Sequence, residues 1–143
     1  MAKRNATARW EGTLKKGTGV MKVGSGAFEG EFSFGTRFEE SPGTNPEELV
    51  GAALAGCFSM ALSANLEKEG YTPISVNTNS ITTLDDPDGT GPRITEIALA
   101  SKAKVESITA EDFSKIAEAT KSGCPVSKAL TGTSIILDAK LIG

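Results

Sequence analysis

Residues 45–70 read NPEELVGAALAGCFSMALSANLEKEG, and the rest of the chain is best understood outward from them. Asn45 is a good N-cap. Pro46 falls at the first helical position, where its missing N–H costs nothing. Glu47 and Glu48 place negative charge in the first turn, against the positive end of the helix dipole. Lys68 and Gly70 close the segment with a cationic last turn and a C-cap glycine. Between these signals, LVGAALAGCFSMALSANL is apolar on nearly every face. Such a helix has to be enclosed on all sides, which a single domain of 143 residues struggles to do. The expectation is that a second copy of the chain supplies part of the cover.

The flanking sequence reads as strands and shorter helices. Ala6–Trp10 with Thr13-Leu14, then Gly19–Val23, then Phe28, Phe32 and Phe34 suggest a three-stranded meander with glycine-rich turns. TRFEESPGT, residues 36–44, is polar and reads as a loop. After Pro73, ISVNTNSITTL is a strand, DDPDGTGP a turn and Arg93–Val105 a long alternating strand, so a hairpin is expected. Thr109 opens a helix with Asp112 three residues on; its apolar stripe is Phe113, Ile116, Ala117 and Ala119, and Gly123 ends it. CPVSKAL starts another short helix on the same proline logic, and SIILDAKLI closes the chain as a strand. This β-β-β-α-β-β-α-α-β order is α+β. No internal repeat, low-complexity tract or long linker divides it, so residues 1–143 are expected to form one domain.

Composition narrows the function. Charged residues make up 23% of the chain and hydrophobic residues 38%, as in a folded globular protein. The net charge of −3 argues against nucleic acid and anionic membranes as partners. The chain shows no run of apolar residues of the length that spans a membrane, and the N-terminal MAKRNATARWEG has no apolar core of a secretory signal; a cytoplasmic location is expected. There is no histidine, which removes Cys-His and Ser-His dyads and most zinc sites. Two cysteines cannot hold an iron–sulfur cluster without other ligands, and there is no C-x-x-C of a thioredoxin-like site. No cofactor or metal is expected.

The two cysteines have contrasting settings. Cys57 lies in the apolar helix, where a thiol is either an inert small hydrophobe or needs a cation brought to it from elsewhere in the fold. Cys124 sits at a helix N-terminus, where the helix field lowers a thiol pKa; local physics makes Cys124 the more acidic of the two. Arg37 reads as a solvated loop residue and Glu47 as dipole compensation when each is taken alone.

Taken together, these residues carry a resemblance. TRFEESPGTNPEELVGAALAGCFSMAL and KSGCPVSKAL resemble the OsmC/Ohr family of peroxide-detoxifying proteins, with the match closest to its OsmC branch, and RWEGTLKKGTG and the closing strand look similar as well. The resemblance implies an OsmC-like α+β fold of antiparallel sheets around a central buried cysteine-bearing helix, in an intertwined homodimer with active sites at the interface. It implies reduction of organic hydroperoxides, and of hydrogen peroxide less well, in defence against oxidative or osmotic stress. It assigns Cys57 as the attacking thiol and Cys124 as the resolving one, with Arg37 and Glu47 as the family's arginine and glutamate. It implies a dithiol reductant, small or of the lipoyl type. Leu54 departs from relatives that carry a histidine there.

Two expectations about the site follow. Glu47 and Cys57 stand about ten residues apart on what reads as one helix, roughly 15 Å of rise, further than one arginine readily bridges. Either the helix breaks near Gly51, or Arg37 and Glu47 serve the Cys57 of a second copy; the second is preferred. The residues near Cys57 in sequence, Leu54, Phe58, Met60 and Ala61, suggest an apolar pocket suited to alkyl or aryl hydroperoxides.

Overall fold

A computed structural model describes residues 1–143. Strands β1 (Ala6–Glu11), β2 (Thr18–Val23) and β3 (Glu29–Phe32) are followed by helices α1 (Phe34–Phe38) and α2 (Pro46–Lys68). Then come strands β4 (Thr72–Asp85) and β5 (Arg93–Glu106), helices α3 (Ala110–Gly123) and α4 (Pro125–Ala129), and strand β6 (Ser134–Ile142). The chain divides into two compact units, Met1–Leu49 and Val50–Gly143.

In the first unit β1, β2 and β3 form an antiparallel meander in that order. The segment expected as a loop from Thr36 contains instead the short helix α1. Its cause is local: Ser33 accepts a hydrogen bond from the Thr36 N–H, while the Thr36 hydroxyl accepts one from the Ser33 N–H, a reciprocal capping box. Phe34 therefore belongs to this helix and not to the third strand. The Asn45 side chain ties the start of the next helix to α1: its Oδ1 accepts from the Glu48 N–H at 2.8 Å, and its Nδ2 donates to the Thr36 carbonyl at 3.1 Å.

In the second unit β4 and β5 pair antiparallel and β6 adds to β5 in parallel. The expectation of antiparallel sheets is corrected at this one strand. Parallel neighbours need a long crossover, and α3 and α4 supply it between β5 and β6. Inward residues of β5 and β6 lie side by side, Ile97 with Ile135 and Leu99 with Leu137. The helix α2 ends in a Schellman motif: the Gly70 N–H donates to the Glu67 carbonyl and the Tyr71 N–H to the Leu66 carbonyl, with Gly70 at φ +88.

The core is built from Leu54, Phe58, Leu62 and Leu66 of α2, the inward residues of β5, and Phe113 and Ala117 of α3. The α2 residues recur at intervals of four and form one stripe. On the other side Ala53, Gly56, Met60 and Ala64 are exposed, Met60 by 79%. Contrary to the sequence expectation, α2 is by length and composition long enough to span a membrane. Its polar residues, however, are engaged by the fold: Ser59 bonds Thr78 at 2.7 Å and Asn65 donates to Thr120 at 2.9 Å. Phe58, wholly buried at the centre of this layer, is the side chain whose loss should cost most. Phe58→Ala should destabilise the protein by about 3–5 kcal/mol in a urea titration, whereas Met60→Ala should cost under about 1 kcal/mol in any form of the protein that leaves Met60 in water.

Candidate active site

The structure gathers the four expected residues as two pairs, one within each unit. In the second unit the Cys57 thiol, half-buried on α2, meets the Cys124 thiol, which is 1% exposed between α3 and α4. Cys124 is both the C-cap of α3 and the N-cap of α4, with extended backbone at φ −72 and ψ 148. That turn aims its side chain inward, and its Sγ lies 3.0 Å from the Ser127 Oγ.

The two thiols differ in acidity. Burial pushes Cys57 up, and the neighbouring Cys124 adds to this, outweighing a lowering by the Val126 backbone N–H. Burial also opposes ionisation of Cys124, but the Ser127 hydroxyl, the Ser127 and Val126 N–H groups and the Cys57 thiol together bring it below an ordinary thiol. The N–H groups act at longer range than a cap hydrogen bond, which the Cys124 side chain does not make; the Ser127 hydroxyl is its close partner. Within the protomer the more acidic sulfur is Cys124, as the sequence argument from the helix N-terminus expects.

In the first unit Arg37, at the end of α1, pairs with Glu47 in the first turn of α2. The Nε of Arg37 donates to Oε1 of Glu47 at 2.9 Å, and its Nη2 forms an ion pair with the same oxygen at 2.7 Å. The other carboxylate oxygen, Oε2, is buried without a partner. The pairing thus rests on one carboxylate oxygen, and Arg37 keeps its Nη1 free of it. Helix α2 runs unbroken through Gly51, so the alternative of a break there is ruled out. The close approach at Gly51 has another purpose: a Cβ there would lie 2.7 Å from the Ser80 and Thr82 hydroxyls of β4.

The expected apolar pocket around Cys57 needs revision. Leu54 and Phe58 point into the core with no exposure, and Met60 points out. Leu54, where some relatives have histidine, is a core position. Sequence reasoning missed a different apolar feature, a cleft of about 300 Å³ in the first unit lined by Trp10, Leu14, Phe32, Phe34, Phe38 and Arg37. It exists because Gly19 stands between Trp10 and Phe32 in the strand register. With no side chain at Gly19, the two rings meet across β2 at 5.4 Å; a Cβ there would fall 2.6 Å from the Phe32 ring. Phe38 packs on Phe34 at 4.9 Å and under the Arg37 guanidinium at 5.4 Å. Two aromatic residues flanking a glycine on adjacent strands are the signal that could have revealed it.

The family model for OsmC-like proteins matches residues 38–138. The chain belongs to the OsmC family. Over 139 residues it is 46% identical to the peroxiredoxin OsmC of Escherichia coli strain K12, covering 96% of both chains. It is 32% identical over 91 residues to organic hydroperoxide resistance protein-like 1 of Staphylococcus epidermidis, covering 62% of this chain and 63% of the relative. Its fold matches an OsmC-like protein of unknown function from Vibrio cholerae, with a TM-score of 0.79 at 15% identity, covering 98% and 100% of the two chains. It also matches the organic hydroperoxide resistance protein OhrB of Bacillus subtilis, with a TM-score of 0.72 at 21% identity over 95% and 98%.

In this OsmC protein the Arg37–Glu47 pair leaves a nearly enclosed carboxylate dependent on one guanidinium. Arg37→Ala should therefore lower stability by roughly 1–3 kcal/mol, and adding Glu47→Gln should recover part of the loss in a double-mutant cycle followed by urea unfolding.

Proposed function

We propose that this OsmC protein is a thiol peroxidase that reduces organic hydroperoxides, with Cys57 as the attacking and Cys124 as the resolving thiol. The observation that carries this reading is the pair of facing thiols, one half-buried and one enclosed, in a chain that matches a peroxiredoxin OsmC along nearly its whole length. Only the half-buried thiol can meet a peroxide without opening the fold.

The chemistry is a displacement. The Cys57 thiolate attacks the outer oxygen of the hydroperoxide, the O–O bond breaks, and the alkoxide leaves and takes up a proton to become an alcohol. Cys57 is left as a sulfenic acid. The Cys124 sulfur attacks it, the hydroxyl departs as water, and a Cys57–Cys124 disulfide forms. A dithiol, small or lipoyl-type, restores both thiols by exchange. The two units act as one functional domain, in a reducing cytoplasm.

For Cys57 to act first its thiol must be more acidic than the protomer makes it. Arg37 supplies the charge, held by Glu47 and keeping Nη1 available, and it comes from a second copy of the chain. This homodimer also covers the exposed stripe of α2 at Ala53, Gly56, Met60 and Ala64, whose small side chains admit a close neighbour. The cleft beside Arg37 takes the organic group of the peroxide: its aromatic walls suit an aryl or branched alkyl substituent, and hydrogen peroxide gains nothing from it.

With cumene hydroperoxide and dithiothreitol, Cys57→Ser should abolish turnover; with a weak reductant in place of dithiothreitol, Cys124→Ser should complete one oxidation and then stall or over-oxidise. Thiols that react with alkylating agents at pH 6–7 no faster than ordinary cysteine would sink the peroxidase reading. In Cys124→Ser, alkylation against pH should place Cys57 below an ordinary thiol, so its reactivity appears at lower pH; adding Arg37→Ala should return it above. Trp10 is the single tryptophan and lines the cleft. Its fluorescence should respond saturably to 2-phenyl-2-propanol, the alcohol formed from cumene hydroperoxide, and Gly19→Val should abolish the response.

A further inference from the structure

Reduction of a disulfide between Cys57 and Cys124 has a direction, and the structure contains a side chain placed to set it. A dithiol can attack either sulfur, and the other leaves as a thiolate. Cys124 is 1% exposed and walled in by α3 and α4. Cys57 is half-buried and, on the proposed function, must already be reachable by a peroxide. Access therefore selects the Cys57 sulfur for attack and makes Cys124 the leaving group.

A leaving thiolate inside a protein needs a hydrogen-bond donor. Ser127 is 6% exposed, and its hydroxyl has one hydrogen-bond partner, the Cys124 sulfur at 3.0 Å. Between a thiol and a hydroxyl either group can donate. Once Cys124 is a thiolate only the serine can, and the contact becomes a charge-assisted bond. A serine three residues after an N-cap commonly serves the helix backbone, but here the Ser127 hydroxyl bonds the Cys124 sulfur instead, and that sulfur makes no cap bond of its own.

We propose that Ser127 is the residue that stabilises Cys124 as the departing thiolate, directing an external dithiol onto the sulfur of Cys57. This rests on reading the two cysteines as a redox pair. In the step, one thiolate of the dithiol attacks the Cys57 Sγ, the Cys57–Cys124 bond breaks, and its electron pair leaves on Cys124. The second thiol of the reductant then attacks its own sulfur in the mixed disulfide, releasing the Cys57 thiolate and a cyclic disulfide. Two electrons pass from the dithiol to the protein. The same hydrogen bond stabilises the reduced protein, so it raises the reduction potential as well as the rate, because a more acidic thiol leaves faster.

The test uses the full chain oxidised to the disulfide with diamide, so that it does not depend on peroxide turnover. Ser127→Ala should reduce with dithiothreitol roughly tenfold more slowly, and its equilibrium in a dithiothreitol redox buffer should favour the disulfide by about tenfold, or about 30 mV. Ser127→Thr, which keeps the hydroxyl, should restore both. Brief exposure of the wild-type disulfide to 2-mercaptoethanol and acid quenching should place the adduct on Cys57 by peptide mass. An adduct on Cys124 overturns the proposal, as does a folded Ser127→Ala protein with unchanged rate and equilibrium. If these dependences hold but hydroperoxides do not oxidise the reduced protein, the peroxidase reading fails and the assignment of Ser127 stands.

Discussion

A long helix with no polar face depends on what is laid against it, and α2 is such a helix. Its stripe of Leu54, Phe58, Leu62 and Leu66 is wholly buried, each side chain stabilising the fold by about 1.5–3 kcal/mol through loss of contact with water. The sheet that receives it is not uniformly apolar. Thr78, Ser80 and Thr82 of β4 face the helix, and the hydroxyls of Ser59, Thr78 and Ser101 form a chain at 2.7 and 3.0 Å. These bonds fix the rotation of α2 about its axis more sharply than greasy contacts alone, since a turn of the helix would strand buried hydroxyls. Gly51 adds a steric constraint by letting the helix close on β4. The rotation of α2 determines where Cys57 points, so the redox chemistry inherits its geometry from this packing.

The same helix concentrates unequal demands along its length. Its first turn holds a nearly enclosed carboxylate, Glu47, with one oxygen given wholly to Arg37 and the other unpartnered. Such a group is costly alone, and on the proposed function that cost fixes the orientation of the arginine that a second copy uses. A half-exposed arginine held from behind by a hydrogen-bonded ion pair with Glu47, and from below by the Phe38 ring, loses little freedom on meeting a second anion. Preorganisation of this kind is what stabilising a developing alkoxide requires.

Much of this was legible in the sequence where local chemistry decides it. Asn45-Pro46 and Gly70 bound α2, Thr109 caps α3, and Cys124-Pro125 starts α4, because capping is read over a few residues. The elements that were misread depend on partners distant in sequence or on side-chain reciprocity. Helix α1 rests on the exchange between Ser33 and Thr36 inside an otherwise turn-like segment. The parallel placement of β6 is settled by the crossover of α3 and α4, which strand periodicity does not encode. The aromatic cleft needs the register that brings Trp10, Gly19 and Phe32 into one row. Near Cys57, the error came from treating neighbours in sequence as neighbours in space: on a helix Leu54 and Phe58 face one way and Met60 another.

The acidity of the two sulfurs is where packing and chemistry come into tension. Inside one protomer, burial weakens Cys57 as an acid while Ser127 and nearby N–H groups strengthen Cys124. Left alone, the pair would keep its negative charge on the sulfur that peroxide cannot reach. In the proposed cycle that distribution suits the end, when Cys124 departs, and opposes the beginning, when Cys57 attacks. The Arg37 of a second copy, which the proposed function brings to Cys57, would reconcile the two. On the proposed function, that cation draws the charge to Cys57 for oxidation. During reduction the leaving charge still finds a donor at Cys124, because Ser127 belongs to the fold and stays in place throughout. In the proposed mechanism one buried hydroxyl and one fixed positive charge from a second copy thus divide the work of a pair of thiols that would otherwise share a single preference.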